Sequence, residues 1–260
     1  MADLKTVSLL LAYVSTACEA GLLLRLYTTG LYKVYKYFAL YVAFLVLRAL
    51  VGIPLGMDST AFSYVYILTT PFVACLYLAV LLELYGVVLS GSPGIATVSR
   101  WVILGGFLVA LAVSASILAV DARRATLFTF PPVLLLHLFD RMVSSTIAFF
   151  LVLITAFLVW FPLALKRNAI VYSLLYSVYF LSRSIALLLR NVAGPELVHV
   201  SSVIVLSISI ICVLGWAFFL NNQGEVEHVV VGHKWSPQKA ERLVEQLNSL
   251  NSSLLRTARR

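Results

Sequence analysis

The 260-residue chain is 62% hydrophobic and only 12% charged, with a mean hydropathy of +0.99. A soluble domain carries about a quarter of its residues charged, so this much apolar surface needs lipid as its solvent and a water-soluble globule is excluded. The net charge of +8 does not point to nucleic acid, because Lys and Arg gather at the ends of apolar stretches and in the C-terminal tail, as membrane topology requires.

A helix needs about 20 residues to cross the hydrocarbon core. On that measure residues 5–27, 36–56, 62–90, 100–120, 135–162, 168–190 and 198–221 predict seven spans. The expected fold is an all-α membrane protein: a seven-helix transmembrane bundle over 1–221, then a cytoplasmic tail over 222–260 that ends in a short amphipathic helix. The first stretch resembles a signal peptide, with Lys5 ahead of an apolar run and small residues around Cys18-Glu19-Ala20. The run continues through Leu22 to Tyr27, however, and the total length predicts a retained helix. Turn chemistry separates the spans at Thr28-Thr29-Gly30, Pro54 to Asp58, Gly91 to Gly94, Pro131-Pro132 and Gly194-Pro195. Pro71 falls inside the third span and predicts a kink there.

Basic residues set the orientation. One face receives Arg25, Lys33, Lys36, Arg100, Lys166, Arg167 and six more from the tail; the other receives Lys5, Arg123, Arg124 and Arg190. The positive-inside rule makes the first face cytoplasmic, with the N-terminus outside and the C-terminus inside, as in a bacterial inner membrane. Tyr27, Tyr32, Tyr35 and Tyr37 crowd the first inner loop, where an aromatic belt belongs. Tyr37, Tyr41 and Arg48 in the second span match Tyr172, Tyr176 and Arg183 in the sixth at the same spacing. Spans one to three and five to seven would then form parallel repeats around the fourth, as in repeat-built transporters.

Ionisable side chains deep in a span cost roughly 2.5–3.5 kcal/mol on insertion scales, so each one calls for a reason. Arg48, Arg183, Asp140 and Arg141 all fall in the outer half, with the two span-centre arginines roughly 10–12 Å below the outer helix ends. One reading pairs an arginine with Asp140 and lets the others snorkel to headgroups. The other is a cationic pocket for a small anionic ligand, since the guanidinium fork suits carboxylate or phosphate. In the inner half Glu19 and Glu83 are intramembrane acids, open to protonation, to pairing with Arg25, Arg100 or Lys36, or to a proton or cation relay.

Cys18, Cys75 and Cys212 all lie in apolar runs with no metal spacing and read as packing residues. No span has a lysine near its middle for a retinal Schiff base. No hydrolase, zincin or nucleotide-loop motif occurs. His137, Asp140 and His199 could meet, but Arg141 would repel a metal cation. The expectation is therefore a non-enzymatic protein without metal or cofactor.

In the tail, Val229-Val230-Val231 favours a short extended piece, and Ser236-Pro237 reads as a helix start. Ala240, Leu243, Leu247, Leu250 and Leu254 then step by three, four, three and four, an a/d stripe closed by Arg256, Arg259 and Arg260. Two heptads are marginal alone. Docking on this protein, on a second copy or on a cytoplasmic partner is thus favoured over a free coil, and inner-leaflet binding is a further reading.

The strings Leu31-Tyr32-Lys33-Val34-Tyr35-Lys36, Leu82-Glu83-Leu84-Tyr85, Lys166-Arg167-Asn168 and Leu247 to Arg256 resemble the seven-span integral membrane proteins of bacteria, notably of the acidobacterial kind, whose function is unknown. That resemblance implies a membrane location and transfers no functional residue. Two functions fit the charges: a receptor or adaptor with an outer cationic pocket and a tail interaction helix, or a small-solute or anion transporter built on three-plus-one-plus-three helices.

Overall fold

The computed structural model describes residues 2–55, 59–90, 93–124, 131–160, 163–193, 198–231 and 237–258, without the side chains of 2–5, 8, 63, 93, 110–111, 113–115, 117–142, 158–159, 163–164, 187–199, 228, 230–231, 237, 239–240, 255 and 257–258. The chain is helical almost throughout: α1 (Ala2–Thr28), α2 (Lys36–Leu55), α3 (Thr60–Val88), α4 (Pro93–Arg124), α5 (Pro131–Trp160), α6 (Arg167–Ala193), α7 (Val198–Phe219) and α8 (Pro237–Ala258). Two short strands, β1 (Leu163–Lys166) and β2 (His228–Val231), interrupt the series. Among the described residues five helices are long and apolar enough to cross a membrane, within Leu9–Thr28, Lys36–Leu55, Thr60–Val88, Arg167–Ala186 and Val200–Phe219. Gly94–Val109 and Val143–Phe157 are shorter apolar stretches.

Several boundaries differ from the expected ones for local reasons. α4 begins at Pro93 rather than near residue 100, and α5 begins at Pro131 rather than after the Pro-Pro pair. Proline lacks an N–H, which the first turn of a helix does not use, and its fixed φ suits that turn. Pro54, read as a turn residue, sits in the last turn of α2. α3 starts on a Ser59 cap, whose hydroxyl accepts the Phe62 N–H at 3.0 Å. It runs through Pro71 without interruption, and just before the proline Thr69 and Thr70 each return a hydroxyl to the carbonyl four residues back at 2.7 Å. Gly30, with φ of 74°, makes the turn between α1 and α2 in the left-handed region.

The helices follow one another round a closed ring, α1 packing on both α2 and α7, α6 on α5 and α7, and α4 on α5. α3 closes the ring between α2 and α4 and also reaches α5 and α6. Glycines permit two of these approaches: a Cβ at Gly106 on α4 would meet Phe150 Cζ of α5 at 2.6 Å, and one at Gly215 on α7 would meet Leu175 Cδ1 of α6 at 2.9 Å. Close approach of this kind drives association between helices where lipid removes the hydrophobic drive. The outward faces are themselves apolar, with Leu47, Leu68, Val109, Phe149 and Ile211 exposed, as a lipid-facing surface requires.

The chain order alone did not predict β1. It pairs antiparallel with β2 in the register Leu163 with Val231 through Lys166 with His228, and the Arg167 N–H extends the ladder to the Glu227 carbonyl at 3.0 Å. The extended piece expected at Val229–Val231 is thus fixed by a partner from the connection between α5 and α6. Farther along, α8 lies on α4. Leu247 is buried, and Leu243 and Leu254 are half-buried, but Leu250 is 56% exposed, which corrects the expected stripe. Asn251 takes the place of Leu250 on the packed face: its Oδ1 accepts the Gly94 N–H at 2.7 Å and the Ile95 N–H at 3.4 Å. These are orphan donors of the first turn of α4, so the tail helix supplies the cap that α4 lacks locally. Asn251→Ala is expected to cost about 1 kcal/mol. Faster hydrogen exchange at Gly94 and earlier protease cleavage within α8 would report it; unchanged exchange would show that the cap carries no energy.

Candidate functional site

The residues expected to form an outer cationic pocket have separate surroundings. Arg48 on α2 places its guanidinium carbon 4.5 Å from the Tyr66 ring centroid, and Arg183 on α6 places its own 5.7 Å from that of Tyr77. Both tyrosines belong to α3 but stand three turns apart, roughly 16 Å along the axis. Each arginine rests on its own π-face, an arrangement that stabilises a cation away from water. Asp140 and Arg141 are on α5, in a stretch whose side chains lie outside the described residues, as do His137 and His199.

The two intramembrane acids differ in their surroundings. Glu19 accepts the Ser15 hydroxyl at 3.1 Å within α1. Glu83 on α3 turns both carboxylate oxygens to the start of α2, where Oε1 accepts the Tyr37 N–H at 3.0 Å and Oε2 the Phe38 N–H at 3.1 Å. A carboxylate at a helix N-terminus satisfies orphan donors and meets the positive end of the dipole. Glu83 is a cap supplied across the bundle.

The centre of the ring is an aromatic column rather than an aliphatic core. Tyr35 and Tyr172 rings meet edge-on at 5.0 Å, Tyr172 and Tyr176 lie 5.9 Å apart, and Trp216 of α7 packs on Phe38 at 4.9 Å and on Tyr176 and Tyr179 at 6.2 Å each. Higher in the column the Tyr41 and Tyr179 hydroxyls share a hydrogen bond of 3.1 Å. The Tyr172 and Tyr176 hydroxyls and the Trp216 indole nitrogen are buried and, among the described residues, have no hydrogen-bond partner.

The foot of this column meets the tail at Glu225. Its Oε1 accepts the Tyr35 hydroxyl at 2.6 Å and the Asn168 amide at 2.8 Å, while Oε2 accepts Lys166 Nζ at 3.2 Å. Asn168, fully buried, also donates to the Asn221 carbonyl at 2.7 Å, and Asn221 Oδ1 accepts the Gly224 N–H at 2.7 Å. The 3-10 turn Gln223–Glu225 thereby presents the carboxylate to three elements at once: the α1–α2 connection, β1 and α6. Burial works to raise the Glu225 carboxyl, but the three hydrogen bonds and the Lys166 charge outweigh it, and the group is held below the usual carboxylate range. Tyr35 shifts the opposite way: burial first, then its bond to Glu225 and the charges of Glu225 and Glu83, push its hydroxyl far up. Nearby, Arg25 Nη2 reaches the Phe218 carbonyl at 3.5 Å and ties α1 to the end of α7.

None of Tyr35, Asn168, Asn221, Glu225 or Asn251 stood out as a site from spacing. The signals present were an acid, Glu225, ten residues before Trp235, and an Asn-Asn pair at the end of the seventh span, both of which read as linker. Gly224 belongs to the same cluster, since a Cβ there would run into the Asn168 side chain, whose Cγ would be 2.8 Å away. Gly224→Ala is expected to displace Asn168 and cost about 1–3 kcal/mol, read as a lower melting midpoint in detergent. An unchanged midpoint would mean that the turn relaxes freely. Among the described residues no group of His, Cys, Asp and Glu is placed to hold a metal ion. No protein family, curated protein or solved structure matches the chain.

Proposed function

We propose that the chain is a non-enzymatic, seven-span receptor or adaptor of a bacterial inner membrane, N-terminus outside and C-terminus inside, whose tail helix engages a cytoplasmic partner. The observation that carries this reading is the Glu225 latch. One tail carboxylate is bonded to Tyr35, Asn168 and Lys166, so the aromatic column and the tail share a single anchoring point. A rearrangement among α2, α6 and α7 that moves Tyr35 or Asn168 alters the tail directly. A small anionic ligand near Arg48, Asp140, Arg141 and Arg183 would provide such an input.

The seven-span count is supported by length. α4 and α5 have 32 and 30 residues, roughly 48 and 45 Å of helix against a hydrocarbon core of about 30 Å. The orientation is supported by the end of the bundle that the tail occupies, where Arg25, Lys36, Lys166 and Arg167 gather.

The test is co-purification from native membranes, comparing the full chain with one that ends at Val231. That truncation keeps Glu225 and the β1–β2 pair and removes α8. A specific cytoplasmic protein lost on truncation supports the adaptor reading. Solute flux in proteoliposomes that survives truncation, with no partner, supports the second reading, anion or solute transport. One observation favours that alternative: the matched arginines of the faint repeat, Arg48 and Arg183, both rest on α3 tyrosines.

A further inference from the structure

A groove of about 520 Å3 opens on the outside of the bundle between the start of α2, the last turns of α3 and the early turns of α4, at the end that carries the tail. Its size is that of a ligand pocket. Its rim is polar, with Tyr37, Glu83 and Arg100, and its inner reach is apolar, with Leu82 and Leu104. Because α3 descends to this end and α4 rises from it, the polar rim lies nearer the membrane surface than Leu82 and Leu104 do. Both Glu83 oxygens accept α2 N–H groups, and its single negative charge offsets only one of the two cations here, Arg100 and Lys36. Arg100 is exposed and, among the described residues, takes part in no hydrogen bond or ion pair. Gly86 makes room for it: a Cβ there would lie 3.3 Å from Arg100 Nη2, so the guanidinium rests across the bare backbone of α3 inside the groove. Lys36, exposed at the start of α2, adds a second positive charge beside Glu83.

We infer that this groove binds the headgroup of an anionic phospholipid from the leaflet on the tail side. The phosphate sits on Arg100, and an acyl chain lies along Leu82 and Leu104. Charge complementarity selects the occupant: a rim with surplus positive charge above an apolar wall fits a phosphate joined to a hydrocarbon chain. A soluble anion would leave the apolar wall unfilled, and a zwitterionic lipid would bring a cation against Arg100 and Lys36. The inference needs only that the chain sits in a bilayer. It stands or falls separately from the receptor reading.

Native mass spectrometry of the full chain in detergent tests it, with added phosphatidylglycerol, phosphatidylcholine or inorganic phosphate. Wild-type protein should retain phosphatidylglycerol over phosphatidylcholine. Arg100→Gln, an exposed change, should weaken phosphatidylglycerol retention about five- to tenfold and leave phosphatidylcholine unaffected, while Arg100→Lys recovers part of it. Gly86→Leu should fill the groove and abolish the preference. Equal retention by wild type and Arg100→Gln would overturn the site. Displacement of the lipid by inorganic phosphate at millimolar concentration would overturn the lipid assignment in favour of a soluble anion.

Discussion

Trp216→Ala is expected to lower the unfolding free energy in detergent by about 3 kcal/mol or somewhat more, the largest single effect in the bundle. The indole is 2% exposed and packs against Phe38 of α2 and against Tyr172, Tyr176 and Tyr179 of α6. It joins three helices of the ring. Lipid is as apolar as this interior, so the cost comes from lost van der Waals contact and an unfilled cavity rather than from exposure to water. That argument places the effect at the lower end of the range measured for aromatic truncation in soluble cores. The control is Trp216→Phe. Among the described residues the indole nitrogen has no acceptor, so the polar atom has no bond to lose, and a ring swap should cost less than about 1.5 kcal/mol. Thermal midpoints of the two variants decide the matter. If Phe costs as much as Ala, the indole N–H holds a partner in the membrane and the column is more polar than its geometry suggests.

Glu225→Ala is expected to cost about 2–3 kcal/mol and to free the tail. The carboxylate side chain is 14% exposed and accepts three bonds, and its removal leaves the Tyr35 hydroxyl without its acceptor and the Asn168 amide with one of its two, the Asn221 carbonyl. The Lys166 bond adds little to this total, because Lys166 is 40% exposed and solvent screens it. The sign with pH follows from the lowered folded value. Stabilisation by Glu225 is fully present above the ordinary carboxylate value of 4.5 and is lost as pH falls below that through the folded value. Protection at Val229 to Val231 by the β1–β2 ladder, measured relative to the intrinsic exchange rate at each pH, should therefore fall in the wild type only as pH drops below 4.5. In Glu225→Ala exchange there should already be fast at neutral pH. Exchange that stays slow at neutral pH in Glu225→Ala would show that the strand pair holds the tail without the latch. The receptor reading would then lose its coupling element.

Much of the architecture was legible from hydropathy, because a bilayer imposes its thickness on any helix that crosses it. The helix positions followed to within a few residues, and the largest departure, the early start of α4, reflects Pro93 serving as a first-turn residue. The tail helix was legible from Pro237 onward, and so was the presence of an extended piece before it. What the piece paired with was not, since Leu163 to Lys166 is merely the apolar end of a connection until Val229 to Val231 arrives from 65 residues away to bond it.

The candidate site was legible only in its types. Charged residues in apolar sequence drew attention to Arg48, Arg183, Glu19 and Glu83 on energetic grounds that hold whatever the fold. Glu19 meets Ser15 on its own helix, but the partners of the other three lie on other helices. Glu83 caps α2 because α3 crosses beneath its first turn, and Arg48 and Arg183 find Tyr66 and Tyr77 because α3 packs on both α2 and α6. The residues that bind the tail to the core, Tyr35, Asn168 and Glu225, are each ordinary in sequence. What the sequence by itself determined is the position, length and apolar character of the helices, since these depend on local composition and a 1.5 Å rise. Tertiary structure alone decided which polar atoms meet, because a hydrogen bond needs two groups within about 3 Å, and here those groups are separated by as many as 190 residues of chain.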